Sequence, residues 1–286
     1  MEYVVLQNGV KMPKLGFGVF QISKEECEKC VLDALKVGYR HIDTAQSYMN
    51  EEDVGNAIKN CEIPREELFI TTKVWIDNYG YEKTRKSVLE SMNKLKVEYI
   101  DLVLLHQPFG DYYSSYHALE DLYREGKIRA IGVSNFYPDR LADLAVFNEI
   151  KPHVNQVEVN PIHQQTNAQE NMLDFGVQMQ AWAPFGEGKN NMFQNAVLKE
   201  IGDNYNKTVA QVILRWLMQR NIVALAKSTH VERMKENFDI FDFELTPSDM
   251  EKIATLDKNE SLFFNHQTPE TVKMFSKMIE NRRGKI

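Results

Sequence analysis

Three ionisable side chains each stand at the end of a short apolar run. Asp43 closes Tyr-Arg-His-Ile-Asp (39–43), Lys73 closes Leu-Phe-Ile-Thr-Thr-Lys (68–73), and His106 closes Ile-Asp-Leu-Val-Leu-Leu-His (100–106). A fourth group, Tyr48, lies five residues after Asp43. Ionised groups are rarely buried without a partner. Runs of Leu, Ile, Val and Phe that stop on such groups therefore read as strands delivering working side chains to one place. The chemistry open to this set is proton delivery. Lys73, placed in an apolar strand, needs a counter-ion, which Asp43 can supply. A cation beside Tyr48 favours the phenolate and so lowers the phenol's pKa from its ordinary value of about 10. A phenol activated in this way can protonate an oxyanion near neutral pH, and His106 could hydrogen-bond the same oxygen. The reaction that results is reduction of a carbonyl, with the proton from tyrosine and the hydride from a cofactor. Each residue also has another use: Lys73 as a Schiff-base lysine, Asp43 as a helix cap, Tyr48 as packing, His106 as a satisfied core histidine. Their arrangement on adjacent strands favours the shared site.

Elements at regular intervals must position these groups. Eight runs rich in Val, Ile and Leu span 14–20, 39–45, 68–75, 100–106, 128–135, 153–160, 177–184 and 222–228. Their apolar character reads as strands buried on both faces, as in parallel sheets. Amphipathic stretches lie between them, and several end on glycine (Gly38, Gly126, Gly176), the usual residue after a helix C-terminus. Alternating strand and helix gives right-handed βαβ units, and eight of them predict a (β/α)8 TIM barrel. Ahead of the first unit, Asn8-Gly9 sits between apolar residues, a type I′ hairpin signal, and this hairpin could plug the barrel bottom. A doubly wound sheet would need a glycine-rich phosphate loop after its first strand; Gly16-Phe17-Gly18 lacks the third glycine. With no low-complexity linker, the reading is one barrel domain over 1–286. Its tail, 258–286, is expected to fold over the mouth of the site.

The 286 residues carry a net charge of -7, a field that does not favour nucleic acid or anionic membrane. There is no basic leader followed by a long apolar segment, and no apolar stretch of about 18 residues. Three cysteines argue against a disulfide framework and fit a reducing, cytoplasmic setting. Cys27 and Cys30 form a CxxC, but without a second pair or a His at ligand spacing they read as two helix residues and not as a metal site.

The segments Tyr-Arg-His-Ile-Asp-Thr-Ala-Gln-Ser-Tyr (39–48), Phe-Ile-Thr-Thr-Lys-Val-Trp (69–75), Asp-Leu-Val-Leu-Leu-His-Gln-Pro (101–108), Gly-Val-Ser-Asn-Phe (132–136), Val-Asn-Gln-Val-Glu-Val-Asn-Pro (154–161) and Ala-Lys-Ser-Thr-His-Val-Glu-Arg (226–233) together resemble the aldo-keto reductase superfamily. The likeness is to the bacterial branch related to diketogulonate and methylglyoxal reductases. The resemblance implies a (β/α)8 barrel, NADPH as hydride donor, and a catalytic quartet of Asp43, Tyr48, Lys73 and His106 with Tyr48 as general acid. It places Ser134, Asn135 and Gln156 on the nicotinamide carboxamide and Trp182 against the nicotinamide ring. Lys227, Ser228, Thr229 and Arg233 match the cradle for the 2′-phosphate, and Glu236 and Asn237 match adenine contacts. The residue chemistry agrees: Arg offers phosphate a planar fork and Lys a point charge. The segment 228–237 reads as the start of a helix with a Ser/Thr cap, and helix N-termini favour phosphate.

Pocket walls are expected from Phe20, Met49, Trp75 and Phe109, with Trp182 and the tail residues Phe263 and Phe264, since small-molecule sites are mostly apolar with few polar groups. Two departures from the family pattern fall here: Gln107 where His-Trp-Pro is common, and Phe20 where Trp is common. Both bear on substrate preference and leave the mechanism untouched. The polar, Asn-rich segment 187–207 could fold over the bound cofactor. The substrate expected is a small, reactive carbonyl compound or a keto-sugar, on a monomer. Two other functions share the fold: a non-catalytic, cofactor-binding regulatory subunit, as in the channel β-subunits of this superfamily, and a lysine-dependent aldolase.

Overall fold

A computed structural model describes residues 1–283; residues 284–286, the end of the segment assigned above to the tail, lie outside the described residues. The chain opens with two antiparallel strands, β1 (Tyr3–Val5) and β2 (Lys11–Pro13). The turn between them differs from the type I′ expectation. Gly9 has a positive φ of 84° but Asn8 does not, and Gly9 N–H donates to Leu6 O at 2.8 Å. Asn8 instead turns its side chain to the barrel, donating to Arg129 O at 2.9 Å. That anchor holds the hairpin under the barrel, where Val4, Leu6 and Met12 pack on Phe69, Leu102, Ala130, Val154 and Val223.

Eight parallel strands follow and close on themselves: β3 (Leu15–Gly18), β4 (His41–Asp43), β5 (Phe69–Val74), β6 (Ile100–Leu105), β7 (Ile128–Ser134), β8 (Val154–Glu158), β9 (Gln178–Trp182) and β10 (Val223–Ala226), with β10 pairing back to β3. Each matches one of the eight apolar runs. Every residue of β5 and β6 is buried, because the lumen covers one face and helices the other. The outer ring is α1 (Lys24–Val37), α2 (Glu51–Asn60), α3 (Tyr81–Leu95), α4 (Tyr112–Arg124), α5 (Pro138–Phe147), α6 (Thr166–Asp174), α7 (Ala196–Tyr205) and α8 (Val209–Gln219), followed by α9 (Val231–Phe238), α10 (Pro247–Ala254) and α11 (Pro269–Arg283). The polar segment 187–207 is thus only half a loop. Residues 186–194 form irregular tight turns, and from there Asn195, its side chain accepting from Leu198 N–H, caps α7. Polar surface residues hid a helix whose buried face is only Leu198, Ile201 and Gly202.

Tyr48 is delivered by a single turn, Gln46–Tyr48, between β4 and α2. Two polar side chains fix that turn. Buried Asn50 accepts from Thr44 Oγ1 at 2.9 Å and donates to Val19 O at 3.0 Å. Gln46 Oε1 accepts from Trp75 N–H at 3.0 Å and Asn78 Nδ2 at 2.8 Å. α2, which continues the turn, lies close on α3: a Cβ at Gly55 would stand 2.1 Å from Lys94 O. Backbone cannot yield there as a flexible side chain can. Gly55→Ala is therefore expected to destabilise the fold by about 1–3 kcal/mol, read as a lower urea midpoint at unchanged slope; an unchanged midpoint would show that α2 is free to shift.

Candidate active site

The carboxyl ends of β4, β5 and β6 bring the first four residues together. Lys73 Nζ lies 2.5 Å from Asp43 Oδ1, 2.9 Å from Thr44 O and 3.2 Å from the Tyr48 hydroxyl. Lys73 is 0% and Asp43 3% exposed, so this pair sits in the barrel lumen, where an unpaired charge would not persist. The His106 ring meets the Tyr48 ring edge-on at 5.7 Å, and Ser47 Oγ lies 3.3 Å from His106 Nδ1. Asn135 Nδ2 donates to His106 O at 3.1 Å, fixing the backbone from which the imidazole hangs.

Burial dominates the electrostatics. It pushes the Asp43 carboxyl above its ordinary range, against the pull of Lys73 and a hydrogen bond from Gln156. It also works against the Lys73 ammonium, but the Asp43 carboxylate and Tyr48 hydroxyl outweigh it and hold that ammonium above its ordinary pKa. Tyr48 departs from the sequence expectation. Lys73 does favour its phenolate, yet burial of the hydroxyl acts more strongly and the net shift is upward. The expected lowering considered the cation alone; desolvation of the anion is the larger effect in this lumen. Tyr48 is consequently a phenol held protonated beside a cation.

The other predicted residues fall into two groups on the neighbouring strand ends. Ser134 Oγ donates to Gln156 O at 2.8 Å, Trp182 Nε1 donates to Asn135 Oδ1 at 2.9 Å, and Gln156 Nε2 donates to Asp43 Oδ2 at 2.9 Å. Asn135 holds a positive φ of 65°, which asparagine tolerates better than most residues. Gln107, in the position of the family's tryptophan, has its Oε1 3.5 Å from Asn135 Nδ2. The second group follows β10. Lys227 and Arg233 are exposed and form no ion pair among the described residues. Buried Ser228 and half-buried Thr229 lie beside them. The α9 cap differs from the Ser/Thr expectation: His230 occupies it without a side-chain bond, while Ser228 Oγ accepts from His230 N–H at 3.0 Å. An uncapped helix N-terminus with two unpartnered cations fits a phosphate group. Asn237 is buried in α9, and Glu236 accepts from Thr208 Oγ1 at 2.8 Å.

Among the expected pocket walls, Phe20 lies 4.9 Å from the Tyr48 ring and Trp75 5.1 Å from the His106 ring. Phe109 sits behind Trp75 in a cluster with Phe275 and Phe264. Met49 is 64% exposed. Phe263 meets Trp182 at 5.1 Å. Two residues of this region carried no sequence reading. Glu158 accepts from Ser261 Oγ at 2.6 Å and Leu262 N–H at 3.0 Å, pinning the start of the tail. Gln180 accepts from Gln156 Nε2 at 3.0 Å. A glutamine inside the apolar run Val-Gln-Met-Gln-Ala-Trp (177–182) was the available signal for the second; nothing local marked the first. The CxxC cysteines are both buried in α1, and no group of three or more His, Cys, Asp or Glu residues among the described residues could hold a metal.

A barrel with an acid–lysine–tyrosine cluster at one end and two exposed cations at an open helix end after its last strand is a specific arrangement, and comparison with known proteins names the family it belongs to. Residues 14–258 match the Aldo/keto reductase family. A glyoxal reductase of Bacillus subtilis is 48% identical over 261 residues, covering 91% of this chain and 94% of the relative. A crystal structure of an aldo-keto reductase enzyme from a Medee basin deep-sea metagenome library superposes with a TM-score of 0.91 at 41% identity, covering 93% of this chain and 98% of that one. A Bombyx mori aldo-keto reductase solved in complex with NADP superposes with a TM-score of 0.87 at 32% identity, covering 92% and 95%. The chain belongs to the aldo/keto reductase family.

The buried pair makes a stability prediction. Lys73→Met should destabilise the protein by about 3–5 kcal/mol, because it strands the Asp43 carboxylate, and Lys73→Met with Asp43→Asn should recover part of that loss. The raised pKa of Asp43 gives the sign with pH. A carboxyl that binds its proton more tightly folded than unfolded loses stability as pH rises. Without the cation that draws it down, the Asp43 carboxyl of the single variant keeps its proton to higher pH than in wild type, so the deficit relative to wild type should be smallest at acid pH and grow once pH passes the wild-type folded value. Urea midpoints across that range test it; a deficit independent of pH would mean that Asp43 does not carry the charge.

Proposed function

We propose that this chain reduces small, reactive carbonyl compounds such as glyoxal and methylglyoxal to alcohols, with Tyr48 as the proton donor. The chain is an NADP-dependent oxidoreductase, and the residues after β10 have the chemistry its 2′-phosphate asks for. The observation that carries the reading is the Asp43 carboxylate and the Tyr48 hydroxyl, both within 3.2 Å of the Lys73 ammonium.

NADPH bound in this cradle supplies the hydride. Everything else falls to side chains. Lys227, Ser228, Thr229 and Arg233 would hold its 2′-phosphate, and Glu236 and Asn237 would border its adenine. Ser134, Asn135 and Gln156 would hold its carboxamide, and Trp182 would supply an aromatic face to its ring and so help orient it for reaction. Tyr48 carries its proton until the carbonyl oxygen gains negative charge, then gives it up. Lys73 supports the phenolate left behind, and Asp43 keeps Lys73 charged. His106, braced by Ser47 and Asn135, orients the carbonyl oxygen. Phe20 and Trp75 flank it and exclude water, which strengthens each of these interactions.

We read the chain as one barrel domain whose residues 258–283 fold over the mouth. In support, Phe275 of α11 packs on Trp75 at 5.9 Å and on Phe109 at 5.4 Å. The similarity to a glyoxal reductase favours small, reactive carbonyl substrates. Among the described residues no helix is long and apolar enough to cross a membrane. The complete quartet favours catalysis over a purely cofactor-binding role on the same fold.

Oxidation of NADPH followed with glyoxal, methylglyoxal, a keto-sugar, an aromatic aldehyde and a steroid ketone tests the reading. Turnover should be highest with the first two; cofactor binding without turnover on any of them would leave the regulatory role. Tyr48→Phe should cut kcat/KM by about a hundred- to ten-thousand-fold with NADPH affinity near wild type, and near-normal turnover would remove Tyr48 as the acid. Arg233→Ala should weaken NADPH by about tenfold or more and leave NADH little changed; an equal loss for both cofactors would show that Arg233 does not read the 2′-phosphate.

A further inference from the structure

Gln156 and Gln180 are cross-strand partners on β8 and β9. Both are buried, at 2% and 0% exposure. In the closed strand order β8 stands opposite β4, so Gln156 reaches across the lumen to Asp43. Its Nε2 has two protons and meets two acceptors, Asp43 Oδ2 at 2.9 Å and Gln180 Oε1 at 3.0 Å. That uses the full donor capacity of the amide. Its Oε1 takes no hydrogen bond among the described residues and is left to accept from a ligand donor. A nicotinamide carboxamide offers such N–H groups. Gln180 contributes its oxygen, and its own Nε2 is buried without a partner. A buried amide that leaves one end unsatisfied while the other serves a neighbour points to a positional task.

We propose that Gln180 is a positioning residue: by holding the second N–H of Gln156 it locks that amide with its nitrogen on Asp43 and its oxygen toward the cofactor, so that one side chain ties the cofactor's seat to the proton-donating cluster. The inference rests on the function proposed above. Without the Gln180 acceptor, the Gln156 nitrogen is free to turn between partners. Asp43 Oδ2 then loses a fixed donor, and the carboxylate becomes easier to protonate. The charged and titratable groups facing Asp43 are Lys73 on β5 and Tyr48 on the β4–α2 turn, and Lys73 also acts on His41 and Glu51. A group that protonates more readily moves the acid limb of the pH profile upward.

The test pairs Gln180→Met, similar in shape but without the acceptor, with Gln180→Asn, whose shorter side chain withdraws it. Both should move the acid limb of kcat up by about half a pH unit. Both should weaken NADPH about three- to tenfold by fluorescence titration, while 2′,5′-ADP, which lacks the nicotinamide, binds as to wild type. In a Gln156→Met background, adding Gln180→Met should change neither the limb nor NADPH affinity, because the path between them is already cut. An unmoved limb, an equal loss of 2′,5′-ADP, or additive effects in the double variant would overturn the proposal. Failure of the underlying reading looks different: wild-type protein would then turn over none of the carbonyls.

Discussion

The site is organised around the Lys73–Asp43 ion pair. Neither charge can sit alone in the lumen of a barrel, and neither has water to fall back on. Their 2.5 Å contact is therefore a condition of the fold as much as a device of the site. Burial raises the cost of each charge and, in the same low dielectric, strengthens the attraction that offsets it. From this pair the rest follows outward. Lys73 has two further donors, and they go to Thr44 O and the Tyr48 hydroxyl. Asp43 has a second oxygen, and it goes to Gln156. The pair thus reaches both Tyr48 and, through Gln156, the strand ends on the far side of the lumen.

The balance at Tyr48 shows why a contact cannot be read alone. Lys73 favours the phenolate, and a sequence reader who sees the cation expects an acidic phenol. Desolvation in the lumen disfavours the anion more than the cation favours it. For a donor this direction is useful. In the proposed reaction the proton would still be in place when substrate arrives, and the nearby ammonium would support the anion formed when it leaves. The cation acts on the product of proton transfer more than on its starting state, which is the differential binding that accelerates a step.

The barrel was legible because its strands are apolar on both faces and its helices on one, and that periodicity survives without any knowledge of tertiary contacts. Asp43, Lys73 and His106 were legible because an ionisable group at the end of an apolar run is costly to bury, and so rarely stands there without a task. Turns and caps were less so. Asn8-Gly9 has the residues of a type I′ turn, but Asn8 found a partner on the barrel, and the turn that formed needs a left-handed conformation only at Gly9. Ser228 and Thr229 look like caps for α9, yet Ser228 bonds back on the loop and leaves the helix open. α7 was hidden by its solvent-facing residues. Glu158 and Gln180 were missed because their importance comes from partners about 100 and 24 residues away, a distance that spacing rules do not cross.

The hairpin under the barrel has an effect far from its own residues. Val4, Leu6 and Met12 give the lumen an apolar floor, so the polar layer above is a cup with one rim. On the mechanism proposed above, water would reach Tyr48 from the rim, past His106 and Phe20, so its proton would be restored between the departure of one product and the arrival of the next carbonyl.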